Sequence, residues 1–263
     1  MPSRFFVPIV GLDPERVRPD QVHAACTAWF DRSTVEHIAN DKPYAVSPLT
    51  GDSRGQVGVE VATLTPEAAE RLAQKVAPGA TVRLGNQTRP LGRPHLMHSE
   101  TWAELVTHND DCRWRLSFET PVTFRSGDRA SPLPQPRTIL QGLSRAWQTW
   151  SDTPLPPIDD LLTAVWVSDL DLHSTTVPLR VNRRDGGRQE VLLSGSLGTL
   201  VLRCDDSTRA AAVGPLMRLA AYTGVGSMTL KGLGVTRVRA HQRARANGLA
   251  APRVEAATGG AAR

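Results

Sequence analysis

Tyr222 to Val238 reads YTGVGSMTLKGLGVTRV, with Gly224, Gly226, Gly232 and Gly234 in the pattern G-x-G-x(5)-G-x-G and Lys231 just before the second pair. Glycine lets a backbone take positive φ and lets another chain approach closely. A loop of this kind also exposes successive N–H groups, which suit phosphate oxygens. The apolar stripe before it, Val213, Leu216, Met217 and Ala220, has helical spacing, and Val235 to Val238 reads as a short strand. A dinucleotide fingerprint would need G-x-G-x-x-G after a strand and opening a helix. Here Thr229 stands at the third glycine position and the order is helix, loop, strand, so that reading fails. A plain glycine-rich connection remains open.

Working outward, the chain shows one order of elements twice. Arg4 to Gly11 is an apolar opening strand, and Val22, Ala25, Cys26 and Trp29 form a helical stripe after Pro19–Asp20. Tyr44 to Leu49 and Gln56 to Leu64 read as strands around a turn at Thr50–Gly51–Asp52. Thr65–Pro66–Glu67 is a helix start, with Ala69, Leu72 and Val76 as its core stripe, and Ala80 to Leu84 is expected as the fourth strand. Strand, helix, strand, strand, helix, strand is the split βαβ, ferredoxin-like arrangement. Gly85 to Asp111 reads as polar and irregular and holds the expected domain junction. The order then restarts. It runs through a strand in Trp114 to Phe124, a helix with Ile139, Leu143, Ala146 and Trp150, strand-like runs in Leu161–Leu172 and Val191–Arg203, the last helix and the closing strand. The expected fold class is α+β, with tandem ferredoxin-like (RRM-like) domains at 1–105 and 106–240. An Ala-, Gly- and Arg-rich tail at 241–263 is expected to be disordered.

Composition sets the limits. At 263 residues and 40% hydrophobic content the chain can build two cores. Three widely spaced cysteines, Cys26, Cys112 and Cys204, have no metal-ligand spacing and form no disulfide framework, which suits reduced thiols in the cytoplasm. No signal peptide or membrane-length apolar run is expected. The net charge is +5, but the tail from His241 onward carries four arginines against one acid, so the rest of the chain is nearly balanced. Any nucleic-acid groove must therefore come from local clustering.

Four segments, in order, resemble a known family. They are EHIANDKPYAVSPL at Glu36–Leu49, FETPVTFRSGDRASPLPQP at Phe118–Pro136, LSGSLGTLVL at Leu193–Leu202, and the glycine stretch with its preceding helix. Together they are similar to the CRISPR-associated endoribonucleases of the RAMP superfamily, which cut precursor CRISPR RNA within its repeats. The resemblance spans about residues 22 to 238. It implies two tandem ferredoxin-like domains and metal-free, cofactor-free cleavage in which the RNA 2′-hydroxyl attacks and a cyclic phosphate forms. It also implies binding of repeat RNA, both precursor and mature guide, and contact with subunits of a CRISPR effector complex. A homodimer is left open, and no membrane partner is implied. A RAMP-type subunit that holds guide RNA without cutting it is the alternative.

The chemistry needs a base for the 2′-hydroxyl proton, an acid for the leaving 5′-oxygen, and charge stabilisation at phosphate. His37 matches the family's histidine between the first helix and second strand and is the leading catalytic candidate, as acid or base. Lys42, five residues on, could fold toward the same phosphate or be a solvated loop lysine. Some family members carry a tyrosine on the first helix; here that helix has none, and His23 stands in a comparable region. For RNA binding the candidates are Gly224, Gly226, Lys231, Gly232 and Gly234, then Arg125 and Arg129, then the basic loop Arg180, Arg183, Arg184 and Arg188. Tyr44 is expected in the core. His95 and His98 form H-x-x-H without an acidic or cysteine partner, so no metal site is expected.

Overall fold

The computed structural model describes residues 1–39, 41–77, 79–107, 111–127, 129–182 and 187–242. The first half opens with β1 (Ser3–Pro8), followed by α1 (Pro19–Phe30), the single-turn α2 (Thr34–Ile38), β2 (Tyr44–Gly51), β3 (Val57–Thr63) and α3 (Pro66–Lys75). A small hairpin, β4 (Thr81–Leu84) with β5 (Gln87–Pro90), comes next, then β6 (His95–Ser99) and α4 (Trp102–Thr107).

β1, β2, β3 and β6 form an antiparallel sheet in the order β2-β3-β1-β6. That is the ferredoxin-like arrangement. Its fourth strand, however, is His95–Ser99 and not the expected Ala80–Leu84. β4 turns back at Gly85, which has a positive φ of 63°, and pairs only with β5 among the described residues. Leu96 and Met97 of β6 stand exposed at the sheet edge, so the strand lacks the buried alternation that marks a strand in sequence.

α3 begins where its sequence says it should. The Thr65 side chain accepts from the Ala68 N–H, and Pro66 occupies the first turn, where its missing N–H costs nothing. Ala68 and Leu72 pack it against the sheet, with Val22, Cys26 and Trp29 of α1 beside them.

The second half repeats the plan. β7 (Asp111–Val122) leads through the hairpin β8 (Phe124–Ser126) and β9 (Arg129–Ser131) to α5 (Pro136–Trp150). α6 (Asp159–Leu162), the long pair β10 (Val165–Asn182) and β11 (Arg188–Cys204), α7 (Ser207–Thr223) and β12 (Thr236–Gln242) follow. The sheet order β10-β11-β7-β12 is again ferredoxin-like. Along β7, Trp114, Leu116 and Phe118 face α5 and α7, and the intervening residues face away, as the two-residue period of a strand requires. β12 reaches Gln242 by pairing His241 with Arg113 and Gln242 with Asp111, so the last strand enters the expected tail; residues 243–263 lie outside the described set.

The two halves are joined by buried charge. Glu60 of β3 receives Arg4 Nη1 at 3.1 Å and Arg237 Nη2 of β12 at 2.5 Å, and Arg237 also reaches Glu119 at 2.9 Å. Burial pushes the Glu60 carboxyl up, against the pull of Arg4. Tyr222 adds a hydrogen bond to Glu100 at 2.8 Å. Ala62 and Leu64 of β3 belong to the apolar core of the second half, so the two cores abut. Among the described residues no helix is long and apolar enough to cross a membrane.

Candidate active site

One cleft runs between the helical layers of the two halves. α1 and α2 line one side with His23 and His37; α5, Arg125 of β8 and the glycine stretch line the other.

His23 lies one helical turn before Thr27, on the face of α1 that meets the glycine stretch. Its Nδ1 is 2.7 Å from the Leu230 carbonyl oxygen. A carbonyl only accepts, so Nδ1 carries the hydrogen and the free nitrogen is Nε2. Desolvation by burial lowers the pKa of His23; the bond to Leu230 opposes this, and the charges of Lys231 and His37 add to it. The ring is therefore set as a neutral imidazole with a lone pair on Nε2.

His37 sits near the end of α2. Ser33 caps that helix by accepting from the Glu36 N–H at 3.1 Å. The His37 side chain is 61% exposed, and its Nδ1 is 3.1 Å from Asp31 Oδ2. Glu36 ties the turn to α3 through Arg71, with contacts at 3.2 Å from each carboxylate oxygen.

Lys42 does not lie free in its loop. Its Nζ is 2.9 Å from Asp31 Oδ2, it also donates to the Glu36 carbonyl, and its side chain is only 5% exposed. Tyr44 is buried as expected, stacked on Phe30 at 4.0 Å between ring centroids, and its hydroxyl bonds Asp31 Oδ1 at 3.0 Å.

The glycine stretch is an arch that folds onto β7 and β8. Gly234 N–H donates to Pro121 O, Ser227 N–H to Thr123 O, and Val225 N–H to Gly234 O. Gly224, Gly226, Gly232 and Gly234 all have positive φ, between 68° and 89°. A Cβ on Gly234 would stand 1.9 Å from Val225 O, and one on Gly226 would stand 2.4 Å from Thr123 O. The glycines thus serve close packing. Many of the N–H groups read from sequence as phosphate donors are used inside the protein. Gly224, Gly232 and Gly234 are buried; Gly226 is exposed and lines the cleft. Lys231, in a 3-10 turn at Thr229–Lys231, is half-buried in the cleft wall, and desolvation lowers its pKa.

Residues 116–236 match the model of the family described as CRISPR-associated endoribonuclease Cas6. That stretch, under half of the chain, is similar to the Cas6 family. No curated protein sequence matches it. Among solved structures, a Cas6 product complex is similar at 23% identity and TM-score 0.72, over 92% of this chain and 100% of that one. A Cas6 from Thermus thermophilus is similar at 24% identity and TM-score 0.68, over 91% and 98%. A structure described as an RAMP protein binding different RNA substrates matches at 10% identity and TM-score 0.55, over 90% and 98%. These likenesses share the tandem ferredoxin-like fold found here.

Within this tandem ferredoxin-like fold the sequence candidates separate. His23, His37, Lys42, Arg125, Lys231, Gly224 and Gly226 line one cleft. Gly232 and Gly234 support its wall from behind. Arg129 is exposed on β9 of the same hairpin as Arg125. Arg183 and Arg184 lie outside the described residues, as do the side chains of Arg180 and Arg188. Asp31 and Arg145 were missed. Arg145 lines the cleft from α5 and pairs with Asp41 at 2.7 Å, and an exposed arginine on a helix leaves no sequence signal. Asp31 follows α1 as its C-cap residue and reads in sequence as part of a polar turn.

Proposed function

We propose that this chain is an endoribonuclease that cuts CRISPR precursor RNA within its repeats, without a metal ion, by attack of the RNA's own 2′-hydroxyl. The observation that carries this reading is the pair His23 and His37 in one cleft, each with Nδ1 engaged and Nε2 left for chemistry. The likeness of residues 116–236 to the Cas6 family and of the fold to a Cas6 product complex supports the substrate class.

In this reading His23, held neutral, takes the 2′-hydroxyl proton on Nε2. The 2′-oxygen attacks phosphorus, and the bond from phosphorus to the 5′-oxygen breaks. His37 gives the Nε2 proton to that leaving oxygen. The products are a 2′,3′-cyclic phosphate upstream and a 5′-hydroxyl downstream. Lys231 and Arg125 lie where they can meet charge on the phosphate, and such preorganised cations are most effective in a cleft that excludes water. The role of the family tyrosine falls to His23. The exposed Arg129 extends the cationic edge beside Arg125 for a stem read by shape and phosphate. Delivery of guide RNA to an effector complex fits this role.

The deciding experiment incubates the full chain with end-labelled repeat RNA in EDTA, beside the same RNA with a 2′-deoxy nucleotide at the cut site. A single cut in the first and none in the second supports the mechanism. Cutting of the deoxy RNA, or a strict need for divalent metal, overturns it. Tight binding without cutting favours a non-catalytic guide-RNA-binding subunit.

A further inference from the structure

We infer that Asp31 is a positioning residue for the reaction: its buried carboxylate sets the tautomer and direction of His37, and Lys42 is the counter-ion that keeps that carboxylate in place. This rests on the reading of His37 as a catalytic group.

Three donors converge on one carboxylate. Oδ2 lies 3.1 Å from His37 Nδ1 and 2.9 Å from Lys42 Nζ, and Oδ1 accepts from the Tyr44 hydroxyl at 3.0 Å. The Asp31 side chain is 7% exposed while that of His37 is 61% exposed, so the acid is buried beneath the imidazole that reaches solvent. An isolated buried carboxylate is costly, and Lys42 and Tyr44 are what make this one tolerable. Tyr44 is itself fixed by its stack on Phe30, so Oδ1 has little freedom to turn.

The chemical consequence follows from the inventory of each group. A carboxylate accepts and does not donate, so His37 Nδ1 must carry hydrogen. The proton that His37 can give up is then the one on Nε2, which points away from Asp31. Without the carboxylate, the exposed ring on a single-turn helix could rotate, and either nitrogen could carry the hydrogen. A histidine whose second nitrogen is held by an acceptor is a recurring way to fix ring direction, and losing that acceptor typically costs 10–100-fold in metal sites. This gives Lys42 a use different from direct contact with phosphate, because its ammonium is spent on Asp31 and on the Glu36 carbonyl.

The test has two arms on the full chain. In single-turnover cleavage, Asp31→Asn should lower the maximal rate by about 10–100-fold with the Kd for repeat RNA within about twofold. The same change added to His37→Ala should cost nothing further, because Asp31 acts through His37. A wild-type rate for Asp31→Asn, or losses that multiply in the double variant, overturns the proposal. The second arm needs no variant at the carboxylate, so it stands even where Asp31→Asn fails to fold. A long-range proton–nitrogen NMR spectrum of the wild-type protein, with His37 identified by its loss in His37→Ala, should show the neutral ring with hydrogen on Nδ1. Hydrogen on Nε2 overturns the proposal. A wild-type cleavage rate for His37→Ala instead sinks the catalytic reading of His37, which the tautomer measurement leaves separate.

Discussion

The His23 imidazole donates its Nδ1 proton to the carbonyl of Leu230, 207 residues away in sequence and 2.7 Å away in space. This bond joins the first helix of one half to the glycine arch of the other. The free Nε2 is therefore aimed by the docking of the two halves, and burial lowers the pKa of the ring against the opposing pull of this bond.

A pH dependence follows with a definite sign. The lowered pKa keeps His23 neutral below the ordinary histidine value of about 6.5, so the acid limb of cleavage governed by this base should lie on the acid side of that value. His23→Ala should lose about 10²–10⁴ in rate. Stability should move with the same group. A depressed folded pKa contributes stability that is present above about pH 6.5 and lost as pH falls through the lowered folded value. Urea unfolding of His23→Gln across that window should show a flatter profile than wild type, and an unchanged profile would remove the linkage.

His37→Ala should abolish most cutting and leave binding. The expected loss is about 10²–10⁴ in the single-turnover rate, with RNA affinity nearly unchanged, because the side chain is largely exposed and the core gains no cavity. Gel separation of end-labelled product and a filter-binding titration on the same preparation check both halves.

Two glycines should respond oppositely to alanine. Gly234 has φ +68°, and a Cβ there would stand 1.9 Å from Val225 O, a backbone atom that has to move. Gly234→Ala should cost at least about 2 kcal/mol. Gly142, inside α5, has open space around a Cβ, and Gly142→Ala should stabilise by about 0.5–1 kcal/mol. Thermal unfolding of both variants tests the arch reading directly.

The joint between the halves should depend on Glu60. Arg4 is buried against it, with a side chain only 9% exposed. Glu60→Ala leaves that guanidinium without its carboxylate, at a cost of about 3–5 kcal/mol. The Tm should fall, and proteolysis should rise in the segments linking the two sheets. A Tm unchanged by the substitution would mean that apolar packing alone holds the joint.

Binding of RNA should weaken with salt, and the cleft arginines should account for part of the slope. Arg125→Ala and Arg145→Ala should each lower affinity and reduce the slope of log K against log salt by about 0.7 for a single-stranded contact. A variant that lowers affinity with the slope intact contacts no phosphate.

The legible part of the sequence was the short-range part. Helical stripes such as Val213–Leu216–Met217–Ala220, the Thr65–Pro66 start of α3 and the alternation along Val57–Val59–Val61 each depend on neighbours within a few residues. Read in order, they imply two ferredoxin-like units, and both sheets have that topology. The glycines of Tyr222–Val238 were legible too, because positive φ and close approach are demands on a single residue. His37 and His23 were legible as candidates through the residue pattern around them.

The rest was decided by pairings across long separations. His95–Ser99 is a strand because β1 offers it an edge, not because its own residues alternate. The arch uses its N–H groups internally because Pro121 and Thr123, a hundred residues upstream in the chain, present carbonyls to it. Asp31 is a turn residue in sequence and a three-donor hub in space. Periodicity and φ preference are local and survive in a string of letters. Which buried charge finds which partner is set by the packing of whole sheets and helices, and only the folded chain contains that information.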